Sequence, residues 1–237
     1  MQLWLCPVFA FLLGSIPFGL IIARAKRINI RDHGSGNIGA TNVLRVVGKK
    51  YGITCLFLDA LKGFIPVAIA TNLIQIDGRA IQIPLSFLDP WALVLPATEA
   101  VKGQTVQILT ALAAVLGHNY SPWVGFKGGK GIATSAGVFL ALMPFAVGLL
   151  AIIFIATFLT TRYVSLASIA AAAALPLVTL WGSWHHGRIQ DGTWNKPLFL
   201  FSLVIGILAI WKHRSNIQRL RAGTEHRFTR KSKAADV

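Results

Sequence analysis

Long apolar runs alternate with short polar, glycine-rich stretches along this chain, and the length of each run decides what it can do. Residues 2–23 form an apolar segment of about the ~20 residues a helix needs to cross a bilayer. Residues 51–74 predict a second span, which carries Asp59 and Lys62 at helical spacing and therefore on one face. Residues 75–104 are mixed and contain Pro84, Pro90 and Pro96, so they predict an outer loop; the apolar part at 84–95 is too short to span. Residues 105–116 begin a third, short span that ends in Gly117, His118 and Asn119. Residues 132–161 are apolar apart from an interruption at Pro144, and residues 164–181 and 197–211 supply the last two spans.

Pro144 leaves two topologies open. A single span over 132–161 would leave the end of the chain outside; two shorter helices turning at Met143 and Pro144 would leave it inside. Charge decides between them. The tail carries Lys212, Arg214, Arg219, Arg221, Arg227, Arg230, Lys231 and Lys233, and such a tail is cytoplasmic under the positive-inside rule. The hairpin follows, with seven membrane segments, the N-terminus outside and the C-terminus cytoplasmic. That topology puts eighteen of the 23 Lys and Arg residues inside and balances four outer cations with four acids.

Composition agrees with a polytopic, all-α membrane protein. Of 237 residues, 54% are hydrophobic and 13% charged, and the mean hydropathy of +0.63 is too high for an ordinary soluble domain. No repeat or low-complexity linker divides the chain, so residues 1–237 are expected to form a single domain. Basic residues follow the first apolar run rather than preceding it, which favours an uncleaved span over a signal peptide. The net charge of +15 fits topology and lipid headgroups better than nucleic acid. Cys6 and Cys55 lie inside apolar runs without paired spacing and are expected to be packing residues, and no His/Cys cluster suggests a metal.

Three polar motifs fall on the cytoplasmic side of this topology. The first, GSGNIGATN at 34–42 closed by Arg45, combines turn-forming Gly34 and Gly36 with donors from Ser35, Asn37, Thr41 and Asn42. Turn chemistry explains its glycines but not so many donors beside an arginine. The second, GFKGGKGIAT at 125–134, sets Lys127 and Lys130 among glycines before an apolar run, with His118 and Asn119 just upstream. Exposed backbone N–H groups, lysine charge and a helix N-terminus together favour a phosphate. It is not a nucleotide-binding P-loop, because Gly131 rather than Ser or Thr follows Lys130. The third, HRSNIQRL at 213–220 with Glu225, spaces Asn216 and Arg219 on one helix face and keeps one carboxylate among cations. A basic helix that only touches lipid explains neither feature.

An ionisable pair inside a span, Asp59 with Lys62, is a fourth signal; it is either functional or a structural pair. His185 and His186 lie in an outer loop without a third ligand and read as surface residues. No serine has a histidine and an aspartate at motif spacing, so a hydrolase triad is not expected. A transporter could use the same anion grip, but it predicts repeated halves and interrupted helices at midplane. A nucleic-acid-binding anchor leaves the glycine motifs without a role.

The chain resembles the bacterial membrane glycerol-3-phosphate acyltransferases that use acyl phosphate as donor, the PlsY type. The resemblance rests on GSIP at 14–17 with Gly19, GSGNIGATNVLR at 34–45, LDALKG at 58–63, GHNYSPWVGFKGGKGIATSAG at 117–137, TRYVSLASI at 161–169 and HRSNIQRLRAGTE at 213–225. It implies acyl transfer from acyl phosphate to glycerol 3-phosphate, giving lysophosphatidic acid without acyl-CoA, a metal or another cofactor. It also implies a multi-pass protein of the cell membrane with its active site facing the cytoplasm. Membrane lipid and a soluble enzyme that makes acyl phosphate are the partners it suggests, and nucleic acid is not among them. The outer loops at 75–104 and 182–196 look longer than the family's.

On that resemblance, the expected catalytic residues are Ser35, Asn37, Arg45, Lys62, His213 and Asn216. The expected substrate-binding residues are Gly34, Gly36, Thr41, Asn42, His118, Lys127, Gly128, Gly129, Lys130, Gly131, Thr134, Arg219 and Glu225. Gly128, Gly129 and Lys130 are expected to hold the phosphate of glycerol 3-phosphate through backbone and charge, while Ser35, Arg45 and Lys62 hold the acyl phosphate. Ser35, Asn37 or Asn216 would stabilise the developing oxyanion. The donor's own phosphate is favoured as base over His213 or His118.

Overall fold

The computed structural model describes residues 2–228. Arg230, Lys231, Lys233 and Asp236 lie outside the described residues. The helices are α1 (Gln2–Gly14), α2 (Phe18–Ala25), α3 (Ala40–Val46), α4 (Lys49–Leu73), α5 (Ala100–Asn119), α6 (Ile132–Leu142), α7 (Pro144–Thr161), α8 (Val164–His185), α9 (Lys196–Lys212) and α10 (Arg214–Arg221). Five helical stretches are long and apolar enough to cross a membrane, with α1 and α2 counted as one. A sixth appears if α9 and α10, bent by 53°, are taken together, and α6 is shorter.

The first span is not continuous, as its apolar run suggested, but breaks at Ser15–Pro17. Pro17 brings no N–H to the helix, and the carbonyls freed there find partners on neighbouring elements. Ser121 Oγ donates to Ser15 O at 2.6 Å, Lys62 Nζ donates to Ile16 O at 2.7 Å, and Trp123 Nε1 donates to Ser15 Oγ at 2.8 Å.

The third span is longer than its apolar core, running from Ala100 to Asn119. Its polar Gln104 is buried against protein rather than lipid, so a hydropathy ruler stops too early there. The region after α4 departs from an all-α fold. Strands β1 (Ile74–Ile76) and β2 (Leu93–Leu95) pair in parallel, with Ile74 opposite Leu93. The long connection between them, with its 3-10 turn at Ser86–Trp91, leaves room for the parallel return. The break at Met143 does separate α6 from α7, as Pro144 predicts.

Close packing in lipid depends on small residues, and glycines mark where these helices cross. A Cβ at Gly63 would meet the backbone of Thr134, and one at Gly137 the backbone of Ala60, so α4 and α6 lie backbone to backbone. Gly14 and Gly117 do the same for α1 and α5. Between these pairs sits a core including Val67, Val138, Leu175, Phe201 and Ile205, in which the Phe139 and Phe201 rings lie 5.2 Å apart. α7 is mostly exposed along its length, as a helix facing lipid should be.

Candidate active site

The three motif segments meet at one end of the bundle, and named hydrogen bonds join them. Arg31 Nη2 donates to Lys127 O at 2.8 Å, tying the first motif's loop to the glycine turn. Lys130 Nζ donates to Asn216 Oδ1, tying that turn to α10. Lys212 Nζ donates to Asn119 O at 3.3 Å, and Phe228 N to Arg162 O at 3.0 Å, bringing in the ends of α5 and α7.

Glu225 is the centre of the polar network. Its carboxylate accepts from Asn216 Nδ2 at 2.6 Å, Arg219 Nε at 2.7 Å and Ser165 Oγ at 2.8 Å. Burial by itself would raise this carboxyl, but the bonds from Asn216, Ser165 and Arg219 outweigh it and hold Glu225 below the usual range. Asn216 is thereby fixed at both ends, with its oxygen toward Lys130 and its nitrogen toward Glu225. Burial is the main reason Lys130 is lowered to about 8; Glu225 opposes the shift, while the charges of Arg219 and Arg45 add to it. Arg45 is itself lowered by burial, stabilised by Glu225 and repelled by Arg219. Arg45, Lys130 and Arg219 therefore share one small region with a single carboxylate. That leaves a positive excess able to hold an anion.

The glycine turn works differently from a simple backbone cradle. Gly128 N donates to Asn119 O and Gly129 N to His118 O, both at 3.2 Å, so these N–H groups satisfy the C-terminal carbonyls of α5 rather than facing a ligand. Their lack of side chains serves close approach: a Cβ at Gly128 would strike the His118 carbonyl, and one at Gly129 the His118 ring. Gly131 has φ +80° and starts α6 without a side-chain cap, leaving the first-turn N–H groups of α6 beside Lys130. The N–H groups of Gly128 and Gly129, expected to face a phosphate, are thus engaged by the carbonyls that end α5.

The first motif is organised by its own asparagines. Asn42 is buried; its Oδ1 accepts from Ser35 N at 3.0 Å, and its Nδ2 faces the carbonyls of Asn37 at 2.9 Å and His33 at 3.1 Å. Asn37 Oδ1 accepts from Gly39 N at 2.8 Å. Both shape the loop. A Cβ on Gly34, at φ +61°, would meet Asn42 Oδ1, and Gly36 also has positive φ. Ser35 is exposed at the loop's tip, and Thr41 is half-buried in the first turn of α3.

The side chains of Lys62, His118 and Thr134 are buried among the helices. Lys62 Nζ lies 2.9 Å from Asp59 Oδ1 and bonds Ile16 O, buried inside the bundle. His118 Nδ1 is 3.7 Å from the same Asp59 oxygen, too far for a hydrogen bond. Thr134 is fully buried at the α4–α6 crossing. His213, by contrast, stands beside the network: Nδ1 donates to Ala209 O at 2.7 Å, which leaves Nε2 as an acceptor. Lys127 is exposed at the turn, and its carbonyl receives Arg31.

Sequence reasoning missed Arg31 and Ser165, and it gave Asn119 no role. Ser165 sits in the first turn of α8, and only the return of the tail brings Glu225 to it. Asn119 is fully buried against Gly131. A basic residue just before a glycine-rich motif was the available signal for Arg31.

Fold and site together define a multi-pass membrane protein with a cationic, anion-holding site at one end of its helix bundle. The family model for glycerol-3-phosphate acyltransferase matches residues 4–223. A glycerol-3-phosphate acyltransferase of Geobacter sulfurreducens is 45% identical over 221 residues, covering 92% of this chain and 94% of that protein. One from Geobacter metallireducens is 48% identical over 219 residues, with 92% and 94% covered. The crystal structure of PlsY, an integral membrane glycerol 3-phosphate acyltransferase, in its glycerol 3-phosphate form superposes with a TM-score of 0.76 at 39% identity, covering 97% of this chain and 96% of that one. Its lysophosphatidic acid form gives 0.74. This chain belongs to the glycerol-3-phosphate acyltransferase family and is an integral membrane acyltransferase.

Proposed function

We propose that the protein moves an acyl group from acyl phosphate to the hydroxyl of glycerol 3-phosphate, forming lysophosphatidic acid and inorganic phosphate. The observation that carries this reading is the group of Arg45, Lys130 and Arg219 around one carboxylate, beside the N-terminus of α6. Two substrates that each bring a phosphate need such an excess of fixed positive charge. One relative, solved in a glycerol 3-phosphate form and a lysophosphatidic acid form, supports the acceptor and the product.

In this reading the acceptor's hydroxyl oxygen attacks the acyl carbonyl carbon. The bond from that carbon to the phosphate oxygen breaks, and phosphate leaves with the electron pair. Lys130, held by Asn216, and the first turn of α6 fix one phosphate; Arg45 and Arg219 flank the other. Ser35, with its hydroxyl at the loop tip, is a donor for the developing oxyanion. The hydroxyl proton passes to the departing phosphate, with His213 Nε2 as the competing acceptor. His118 is walled off behind Gly129 and takes no part in proton transfer.

The positive-inside pattern supports seven membrane segments with the N-terminus outside and the C-terminus cytoplasmic, so that this site faces the cytoplasm of the cell membrane. Residues 1–237 then form one membrane-embedded acyltransferase domain, supplied with acyl phosphate by a soluble enzyme. Purified protein in lipid vesicles, given acyl phosphate and glycerol 3-phosphate, is expected to release lysophosphatidic acid, whereas acyl-CoA gives none. Uptake of radiolabelled glycerol 3-phosphate into the vesicles without product would instead make the protein a transporter.

A further inference from the structure

At the end of the bundle opposite the acyltransfer site, the two long loops are joined to each other. Arg79 Nη2 donates to Thr193 O at 2.9 Å. Gln104 is only 2% exposed; with its amide oriented by its neighbours, the oxygen accepts from Arg79 and the nitrogen donates to Asn195 Oδ1 at 3.3 Å. Asn195 also caps α9, accepting from Leu198 N at 2.9 Å. These polar bonds, centred on buried Gln104, thus hold both loops onto α5 and α9.

Between them lies a cleft of about 1100 Å³. That exceeds the roughly 300–1,000 Å³ of ordinary small-molecule sites. Its lining is divided in two. Leu142, Met143, Phe145, Ala146, Val178 and Leu198 make an apolar wall from the ends of α6, α7, α8 and α9, while Arg79, Arg188 and Lys196 line it on the loop side. Phe145 is 71% exposed on α7, so the apolar wall runs on into a lipid-facing surface.

The cations of the cleft exceed its acids. Among the described residues, neither arginine nor Lys196 lies within 4.0 Å of a carboxylate. Asp77 is the one acid among the described residues lining the cleft, where His186 also lies, and nearby Asp191 is occupied by Thr193 N at 3.0 Å and Thr193 Oγ1 at 2.7 Å. Burial first, and then the like charge of Arg188, lowers Arg79. The two guanidinium groups thus repel each other, and a phosphate placed between them would relieve that repulsion.

We propose that this cleft seats an anionic phospholipid from the leaflet opposite the acyltransfer site, with its phosphate between Arg79, Arg188 and Lys196 and its acyl chains along the α7–α8 wall. The leaflet named rests on the orientation proposed above; the occupant's chemistry does not. A soluble anion would leave the apolar wall wet, and an uncharged lipid would leave the cations unpaired. Only a molecule with both parts matches both sides of the cleft. The lipid would also hold the two loops together from the side that faces the membrane.

The test uses the full chain purified in detergent and stripped of lipid, titrated separately with phosphatidylglycerol, phosphatidylcholine and inorganic phosphate. Native mass spectrometry counts the lipid retained, and thermal unfolding reads its effect. One phosphatidylglycerol should be held at least ~tenfold more tightly than phosphatidylcholine and should raise Tm, as two or more basic groups at an anionic lipid predict. Arg188→Gln and Lys196→Gln should each weaken it about five-fold, the usual effect of one basic residue at an anionic lipid surface, with the acyltransfer rate unchanged. Equal retention of the two lipids, or undiminished phosphatidylglycerol binding in the double variant, would overturn the proposal. So would inorganic phosphate alone giving the same rise in Tm, which would make the cleft a free-anion site. Acyl transfer is measured in the same preparations, so failure here is distinct from failure of the proposed reaction.

Discussion

Asp59 and Lys62 pair inside the helix bundle, whereas Glu225 and Arg219 pair at its edge, and the two pairs are built for different work. The side chains of the first pair are 2% and 3% exposed, and Lys62 also holds the carbonyl of Ile16 at the break in the first span. In the second pair Arg219 is 30% exposed, and the carboxylate also receives Asn216 and Ser165. The inner pair supports backbone that would otherwise lack a partner in lipid. The outer pair sets the direction of Asn216 and through it the ammonium of Lys130. Similar residue types are therefore buried within the fold in one place and left partly open to solvent in the other, and in the proposed reaction that access separates a structural pair from a ligand-binding one.

The largest expected effect tests the inner pair. Asp59→Leu leaves Lys62 charged and unpaired among helices, which costs about 3–5 kcal/mol, and thermal unfolding in detergent should show it as a large drop in Tm. Adding Lys62→Met should recover most of that drop. An unchanged Tm in Asp59→Leu would mean the pair supports nothing.

Lys130→Ala should lower kcat by ~10²–10³, the usual size for a lost charge-stabilising donor, while Tm stays near that of the parent. If the inner pair were catalytic, the stable Asp59→Leu/Lys62→Met protein would show a loss as large, and the contrast between the two clusters would fail. Gly129→Ala should affect stability and rate together, costing about 1–3 kcal/mol, because the added methyl must displace the His118 ring.

Ser165→Ala removes one of the bonds to Glu225, a contribution of about 1 kcal/mol, and should reduce kcat/KM by roughly five-fold. The mildest effect is on pH dependence. Lys130 is lowered to about 8 by burial, so its cationic form is present below that pH and is lost above it. The KM for glycerol 3-phosphate should therefore rise as pH climbs through about 8, and Lys130→Arg, which stays charged, should remove the inflection.

Much of this molecule is legible in the order of its residues. Apolar length marks the spans, Pro144 marks the break between α6 and α7, and the spacing of Asp59 and Lys62 puts them on one face. The motif of Asn216, Arg219 and Glu225 signals a polar group at α10 and just after it. What the residue order does not show is who receives each donor. Nothing in the spacing of Gly128 and Gly129 reveals that their N–H groups bond the carbonyls ending α5. Nor does the position of Lys62 reveal that its ammonium reaches the carbonyl of Ile16.

Sequence by itself determined the helical membrane class, the polar motifs and their gathering on one side, because hydrophobicity, helical period and charge asymmetry are local properties of a chain in a bilayer. Tertiary structure alone decided that Ser165 meets Glu225, 60 positions away, that Arg31 reaches Lys127, and that the long loops join over a cationic cleft. Those contacts depend on how closely helices approach, and that distance is set by glycines such as Gly63 and Gly137, whose partners lie on other helices.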